Sequence, residues 1–207
     1  MIPAAEALAR LREGNLRYAA NRRSNVSVDS ARRAQLTESQ EPFAIVLGCS
    51  DSRVPAEIVF DQGLGDLFVI RVAGNIVAAS QIGSVEFAAA RFGTGLVAVV
   101  GHSQCGAVSA TLEALEEPDS NQSRNLRSIV ELIRPSVEPL LDTPLRHDRA
   151  ALVSRAVRDN IRASVDRLRH GSAILERLIQ EDKLLVIGAE YSLESGVVNF
   201  FDDPHER

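Results

Sequence analysis

The sequence of 207 residues contains no tryptophan, only two cysteines, and no apolar stretch near the roughly 18 residues that a membrane-spanning helix needs. We therefore expect no membrane partner. Acidic residues outnumber basic ones by 28 to 23, and the net charge of −5 disfavours a nucleic-acid partner, because phosphate binding requires a basic surface. Residues 1–6 lack the basic and apolar regions of a signal peptide, which predicts a cytoplasmic location. Cysteines in that compartment are more often ligands or free thiols than a disulfide.

Short apolar segments alternate with helical patterns along most of the chain. Each apolar segment ends at a glycine or a polar residue, as expected of strands buried inside a parallel sheet. The pattern predicts an α/β fold with a mostly parallel central sheet, of flavodoxin-like strand order 2-1-3-4, flanked by helices. The predicted strands are residues 43–47, 67–72, 96–100 and 184–187, the predicted helices are residues 80–92, 105–116 and 145–170, and residues 117–123 are a predicted polar loop.

The N-terminal segment has its own pattern. Residues 4–21 carry spaced apolar side chains, which predicts an amphipathic helix, and the polar residues 22–30 follow as a tether. A helix on such a tether often packs on a neighbouring subunit, so we expect this one to extend onto a neighbour. We interpret residues 1–207 as a single domain in which residues 1–35 form an N-terminal helical arm.

Both cysteines lie in short motifs that directly follow predicted strands. Cys49 follows the first strand, His102 follows the third, and Cys105 comes three residues later. Ligands of open α/β sheets bind at the carboxyl ends of neighbouring strands, so these groups can converge. Either cysteine alone would be interpreted as a small buried hydrophobe, but the joint pattern is the donor set that Zn²⁺ prefers. Asp51 is either a fourth ligand or a carboxylate beside the metal.

Arg53 lies two residues after Asp51, and an ion pair between them would decide between those two roles of the carboxylate. A bidentate pair between them would keep Asp51 off the metal and leave a coordination position for water, as in catalytic sites. Two thiolates cancel the charge of Zn²⁺ and weaken its effect on the pKa of bound water. We therefore expect an activity that favours alkaline pH.

At these residues the chain closely resembles the β-class carbonic anhydrases, from about residue 4 to residue 198. The motifs that carry the resemblance are Glu13-Gly14-Asn15, Cys49-Ser50-Asp51-Ser52-Arg53-Val54, Arg71-Val72-Ala73-Gly74-Asn75 and Gly101-His102-Ser103-Gln104-Cys105-Gly106. The resemblance implies Zn²⁺ held by Cys49, His102 and Cys105, and a catalytic dyad of Asp51 and Arg53. The implied reaction is carbonate dehydration and its reverse, in which a zinc-bound hydroxide converts CO₂ to bicarbonate and a proton.

The resemblance also implies a substrate pocket and an assembly. The pocket residues carried over from the family are Gln40, Phe68, Ala73, Phe87 and Gly106. Gln40 and Phe87 would reach the zinc of the opposite subunit, which implies a homodimer or a homotetramer. Phe87 stands where many relatives have tyrosine. A subgroup of the family binds regulatory bicarbonate with a tryptophan, an arginine and a tyrosine. Here the tryptophan position is Val46, with Arg71 and Tyr191 at the other two, so we do not expect regulation of this type.

Other interpretations of the motifs remain open. A related zinc hydrolase acting on CS₂ or COS would have the same metal site on the same scaffold. A closed state with Asp51 on the metal would instead make the protein a zinc-binding structural or regulatory protein. The presence of Arg53 and Gln40 argues against the closed site, because a structural zinc site needs neither residue.

Overall fold

The computed structural model describes residues 2–24, 29–117 and 123–201. Strands and helices alternate over most of this part of the chain. The strands are β1 (Ala44–Gly48), β2 (Leu67–Arg71), β3 (Leu96–His102), β4 (Leu185–Tyr191) and β5 (Val198–Phe201). The helices are α1 (Ala4–Ala19), α2 (Ser30–Gln35), α3 (Ala56–Val59), α4 (Ala79–Phe92), α5 (Gly106–Glu116), α6 (Arg124–Val137), α7 (Arg149–His170) and α8 (Ala173–Gln180), with 3₁₀ turns at Ala73–Asn75, Glu138–Asp142 and Pro144–His147.

The strands form one sheet of order β2-β1-β3-β4-β5. The first four strands pair in parallel and β5 pairs antiparallel with β4. The predicted α/β class, the mostly parallel sheet and the order 2-1-3-4 are therefore confirmed, and β5 is a strand that the sequence pattern did not predict. Every residue of β1 and β3 is buried, which explains why these strands are nearly continuous apolar runs.

Alternate residues of the central strands face two separate cores. On one face Ile45 and Val97 pack with residues of α4 to α8, and on the other face Val46 and Ala98 pack with residues of α1 and α3. This division follows from the two-residue period of a strand, which sends neighbouring side chains to opposite faces of the sheet. The carboxyl ends of β1 and β3 are thereby held rigidly between two apolar layers.

Several predicted element boundaries need correction. Helix α7 begins at Arg149 instead of residue 145, because Pro144 opens a 3₁₀ turn and the Asp148 side chain accepts the backbone N–H of Ala151 at 3.1 Å. Helix α4 begins at Ala79 instead of residue 80, and the Gln81 side chain accepts the N–H of Ala78 at its start. Strand β4 continues past residue 187 to Tyr191. Of the predicted loop at 117–123, residues 118–122 lie outside the described residues.

Helix α1 buries its apolar face on its own chain. Leu8 and Leu11 lie in the core beside β1 and α3. Gly14 is required there because a Cβ would come within 1.8 Å of the Phe60 carbonyl oxygen, and Asn15 accepts the N–H of Val198 at 2.8 Å. Leu8 and Leu11 are therefore not free for a neighbour, whereas Leu16 of the same helix is 63% exposed. Extension of the arm onto a neighbouring subunit stays a prediction.

Candidate metal centre

Three donor side chains converge at the carboxyl end of the sheet. Cys49 follows β1, His102 ends β3, and Cys105 precedes α5 as its N-cap residue. Their ligand atoms all lie within 4.8 Å of one another, and all three residues are buried. The structure therefore brings together the three residues that the sequence predicts as metal ligands.

The orientation of His102 leaves one ring nitrogen available to the cluster. Its Nδ1 lies 2.9 Å from the carbonyl oxygen of Ser103, which can only accept, so Nδ1 carries the hydrogen. Its Nε2 is buried and has no hydrogen-bond partner among the described residues. A buried polar atom without a partner is costly, so this lone pair is suited to binding a metal ion.

The side chains of Cys49 and Cys105 share a hydrogen bond that shifts their pKa values in opposite directions. A hydrogen bond from Cys105 lowers the pKa of the Cys49 thiol, with burial opposing this shift, and the same hydrogen bond raises the pKa of Cys105. The backbone N–H of Gly74 also donates to Cys49 Sγ at 3.3 Å, which favours the thiolate. Two cysteine sulfurs, which bind zinc as thiolates, and one imidazole nitrogen converge here, and this donor set fits Zn²⁺.

Asp51 and Arg53 form a bidentate ion pair beside this cluster. The guanidinium of Arg53 donates to both carboxylate oxygens, at 2.9 and 2.7 Å, and the Arg53 backbone N–H donates to Oδ1 at 2.9 Å. These bonds hold the pKa of Asp51 well below its usual range, although partial burial opposes them. Oδ2 lies 3.8 Å from His102 Nε2, so the carboxylate borders the cluster while facing Arg53.

A second arginine supports the same loop through its backbone. Arg71, at the end of β2, donates from Nε to the carbonyl oxygen of Cys49 at 3.0 Å and from Nη2 to the carbonyl oxygen of Asp51. The rest of the Arg71-to-Asn75 motif forms a 3₁₀ turn in which Gly74 has a φ of +70°. A Cβ on Gly74 would lie 2.8 Å from Ile133 Cδ1. Glycine is therefore needed both for the conformation and for the space.

Helix α7 holds this turn from behind. Asn160 donates to the carbonyl oxygen of Gly74 at 2.8 Å, and Ser164 donates to that of Asn75 at 2.9 Å. The sequence patterns predicted neither residue, nor Arg71 as a support of the loop. The available signal was a pair of polar residues four positions apart on the buried face of an otherwise amphipathic helix.

The residues predicted to line a substrate pocket divide into two groups. Ala73 lies in the turn beside Gly74, and Gly106 begins α5 with no atom within 4 Å of the position of a Cβ. Phe68 is half-buried in the edge strand β2, with its ring 6.2 Å from that of Phe87. Phe87 is 54% exposed on α4.

Gln40 lies away from the donor cluster of its own chain. It is exposed, and it lines a surface groove of about 1110 Å³ together with Arg33, Phe43 and Phe92. None of the three clustered donors lines this groove. The single chain therefore brings the donors and the Asp51–Arg53 pair together, but leaves Gln40 and Phe87 on its surface.

Arg71 and Tyr191, which the family resemblance links to regulatory bicarbonate, both have hydrogen-bond partners within this chain. The Tyr191 hydroxyl lies 3.1 Å from that of Tyr18 on α1, and Arg71 donates to the backbone carbonyls described above. Burial raises the pKa of Tyr191, and the hydrogen bond with Tyr18 adds to that shift. With Val46 at the tryptophan position, the absence of this regulation stays a prediction.

No helix in the described ranges has both the length and the apolar character needed to cross a membrane.

The family model described as "Carbonic anhydrase" matches residues 44–198 of the chain.

Among curated proteins, "Carbonic anhydrase" of Mycolicibacterium smegmatis is 39% identical over 188 residues, covering 91% of this chain and 88% of the relative. "Carbonic anhydrase 2" of Mycobacterium tuberculosis is 38% identical over 186 residues, covering 90% and 87%.

Solved structures of β-carbonic anhydrases have the same fold as this chain. The β-carbonic anhydrase CcaA superimposes with a TM-score of 0.74 at 26% identity, covering 96% of this chain and 93% of that one. A β-carbonic anhydrase of Sordaria macrospora, described as tetrameric, has the same fold, with a TM-score of 0.70 at 24% identity over 83% of this chain and 86% of that one.

Proposed function

Because this chain belongs to the β-class carbonic anhydrases and is itself a carbonic anhydrase, we propose that it is a zinc enzyme that reversibly hydrates CO₂ to bicarbonate and a proton. The observation that carries the zinc assignment is the buried cluster of Cys49, His102 and Cys105, in which His102 Nε2 has no hydrogen-bond partner among the described residues. Zn²⁺ bound there would supply a water molecule of lowered pKa.

The proposed role of Asp51 follows from its hydrogen bonds. Its carboxylate accepts from Arg53 through both oxygens, and Oδ2 also borders the donor cluster, 3.8 Å from His102 Nε2. Asp51 would accept a hydrogen bond from the attacking hydroxide and aim the oxygen lone pair at the carbon of CO₂, which is an orientation effect. Arg53 would fix the carboxylate in that direction. In a closed state at low pH, Asp51 would leave Arg53 and become the fourth ligand.

The remaining predicted residues would shape the substrate site. Phe68, Ala73 and Phe87 offer apolar surface that suits the small apolar molecule CO₂. Gln40 and the backbone N–H of Gly106 would donate hydrogen bonds to the oxygens of the forming bicarbonate. The open space in front of Gly106 supports its part in this arrangement.

We further propose that the active unit is a homodimer or a homotetramer. Gln40 and Phe87 lie on the surface of the single chain, and an outward position suits residues that complete the site of a neighbouring subunit. The relative from Sordaria macrospora is described as tetrameric, which supports the larger assembly. We also propose that residues 1–207 are one domain and that the protein is cytoplasmic, where the free thiols of Cys49 and Cys105 would stay reduced.

The test is stopped-flow CO₂ hydration by the zinc-loaded protein from about pH 6.5 to 9, where zinc-bound water of lowered pKa ionises. We expect activity that rises with pH. His102→Ala should abolish both zinc binding and activity, whereas the control His147→Ala changes an exposed histidine and should alter neither. Wild-type protein that retains one zinc per chain without hydrating CO₂ would contradict the proposal. Turnover of CS₂ or COS by that protein would then favour the related hydrolase, and no turnover would favour the closed site.

A further inference from the structure

The turn between two of the clustered donors consists of Ser103 and Gln104 alone, and a single carboxylate holds both side chains. Ser103 Oγ donates to Glu194 Oε2 at 3.0 Å, and Gln104 Nε2 donates to Glu194 Oε1 at 2.6 Å. Glu194 lies about ninety residues further along the chain, in the connection between β4 and β5. Neither the motifs nor the proposed reaction gives this residue a role.

The contact with Ser103 bears on the orientation of the imidazole ring. The Ser103 carbonyl oxygen accepts the hydrogen of His102 Nδ1, and the Ser103 backbone N–H donates to the carbonyl oxygen of Tyr191 at 2.9 Å. Ser103 Oγ also accepts the backbone N–H of Leu193 at 3.0 Å while it donates to Glu194. The residue that orients His102 is therefore held through both its backbone and its side chain.

The contact with Gln104 bears on the position of Cys105. Gln104 has a φ of +56°, in the left-handed region that glycine adopts freely and glutamine adopts at a cost. The charge-assisted hydrogen bond from its side chain to Glu194 offsets that cost. The conformation of Gln104 sets the direction in which the chain enters α5, and hence where the Cys105 thiol points.

Glu194 is itself held in place. Ser192 Oγ donates to its carboxylate at 3.1 Å, and Ser192 also accepts the backbone N–H of Ser195. Backbone bonds of 2.9 Å from Gly196 to Ser192 and from Ser192 to Val197 close the same connection. The carboxylate therefore meets the turn from a rigid loop and not from a freely rotating side chain.

We propose that Glu194 is a positioning residue for the metal ion: by bonding Ser103 and Gln104 it fixes the relative placement of His102 and Cys105 and so slows release of zinc. The inference rests on the proposed zinc function. Residues outside the ligand set that orient ligands typically change metal affinity or activity by about 10- to 100-fold when mutated. Glu194 acts through one further residue, so we expect an effect near the lower end.

The test measures the rate at which zinc passes from the holoenzyme to a chromogenic chelator. Glu194→Ala should release zinc about tenfold faster than the wild type. The matched control is Glu86→Ala, since Glu86 also accepts a hydrogen bond from a serine hydroxyl, that of Ser172, but lies on α4 and not on the ligand turn. Zinc release from Glu86→Ala should equal that of the wild type. Metal-free Glu194→Ala and metal-free Glu86→Ala should have the same melting temperature, because Glu194 is exposed and its loss would not unfold the chain.

Two further variants distinguish positioning from a general structural role. Glu194→Gln keeps an acceptor oxygen without the charge and should restore part of the slow release. Gln104→Gly accepts the positive φ without strain, so in that background the effect of Glu194→Ala should shrink.

Wild-type release from Glu194→Ala, or equal acceleration by Glu86→Ala, would overturn the role of Glu194 while leaving the zinc enzyme intact. A wild-type protein that binds no zinc would overturn both proposals.

Discussion

The two segments that bring donors to the metal centre are held in different ways. The segment from Cys49 to Arg53 supplies one donor and the carboxylate, and the side chain of Arg53 is 53% exposed. The segment from His102 to Cys105 supplies two donors, both essentially buried, and its start is paired with β4 as part of the sheet. The first segment can change the partner of its carboxylate without disturbing the sheet, whereas the second cannot move without disrupting strand pairing.

This difference separates two tasks within one small site. Retention of the proposed metal would fall mainly to the buried segment, where His102 is fixed by strand pairing and by the Ser103 carbonyl. Control of the proposed reaction would fall mainly to the exposed segment, where the direction of the Asp51 carboxylate depends on one guanidinium. Substitutions of Asp51 or Arg53 should therefore alter turnover more than zinc content, and substitutions around the second segment should do the reverse.

The largest effect that would test this separation is expected from Arg53→Ala. The Asp51 carboxylate would lose both guanidinium bonds and its direction, and misplacement of a reacting group by about 1 Å can cost about 100-fold in rate. We expect kcat to fall by about that factor while zinc content stays at the wild-type level.

Stopped-flow rates and metal analysis of the same samples measure both quantities for Arg53→Ala. Arg155→Ala is the matched control, because Arg155 forms a comparable exposed pair with Asp159 on α7. Equal losses of zinc and turnover in Arg53→Ala would contradict the proposed separation of metal retention from control of the reaction.

A smaller effect is expected from Arg71→Lys. The guanidinium bridges the backbone carbonyls of Cys49 and Asp51, and a single ammonium group cannot reproduce that fork. We expect kcat to fall about tenfold with little change in zinc release, because Arg71 supports the exposed segment.

Arg169→Lys is the control for Arg71→Lys, since Arg169 also donates to a backbone carbonyl oxygen, that of Val186, far from the donors. Faster zinc release from Arg71→Lys, with turnover per bound zinc unchanged, would assign Arg71 to metal retention instead.

The smallest expected effect concerns acid stability. The pKa of Asp51 is lowered in the folded chain, mainly by the hydrogen bond from Arg53, so its ion pair stabilises the fold above the unfolded pKa of about 3.9. That contribution is lost as the pH falls from there through the folded pKa.

Urea unfolding of metal-free protein in steps below about pH 5 should therefore show a slightly smaller loss of stability for Asp51→Asn than for the wild type. Because half of the Arg53 side chain is exposed, the difference should be small. Parallel curves for the two proteins would show that the pair adds nothing to stability.

The sequence predicted those parts of the molecule whose local pattern of apolar and polar residues directly reflects their burial in the fold. Strands β1 and β3 are apolar throughout because both their faces are buried, and the donors are recognisable because they follow those strands. Strand β5 was missed because it is a short edge strand that is only partly buried, and because its first N–H bonds to Asn15 far away in the sequence.

The support of the site was harder to predict than its donors. Arg71 and Glu194 act on backbone or side chains that lie about twenty and ninety residues away along the chain, and no spacing rule connects them. The outward position of Gln40 followed only from the family resemblance, since residues before a strand carry no signal of which subunit they serve.

The polar pair inside α7 has a consequence for engineering. Asn160 and Ser164 are 2% and 3% exposed, and a designer seeking a more stable protein would choose them first for replacement by leucine or alanine. Such a variant would leave the buried carbonyl oxygens of Gly74 and Asn75 without their donors, and the Gly74 N–H that donates to Cys49 would lose its fixed position. A more apolar interior at these two positions of the helix would therefore weaken the support of the donor cluster.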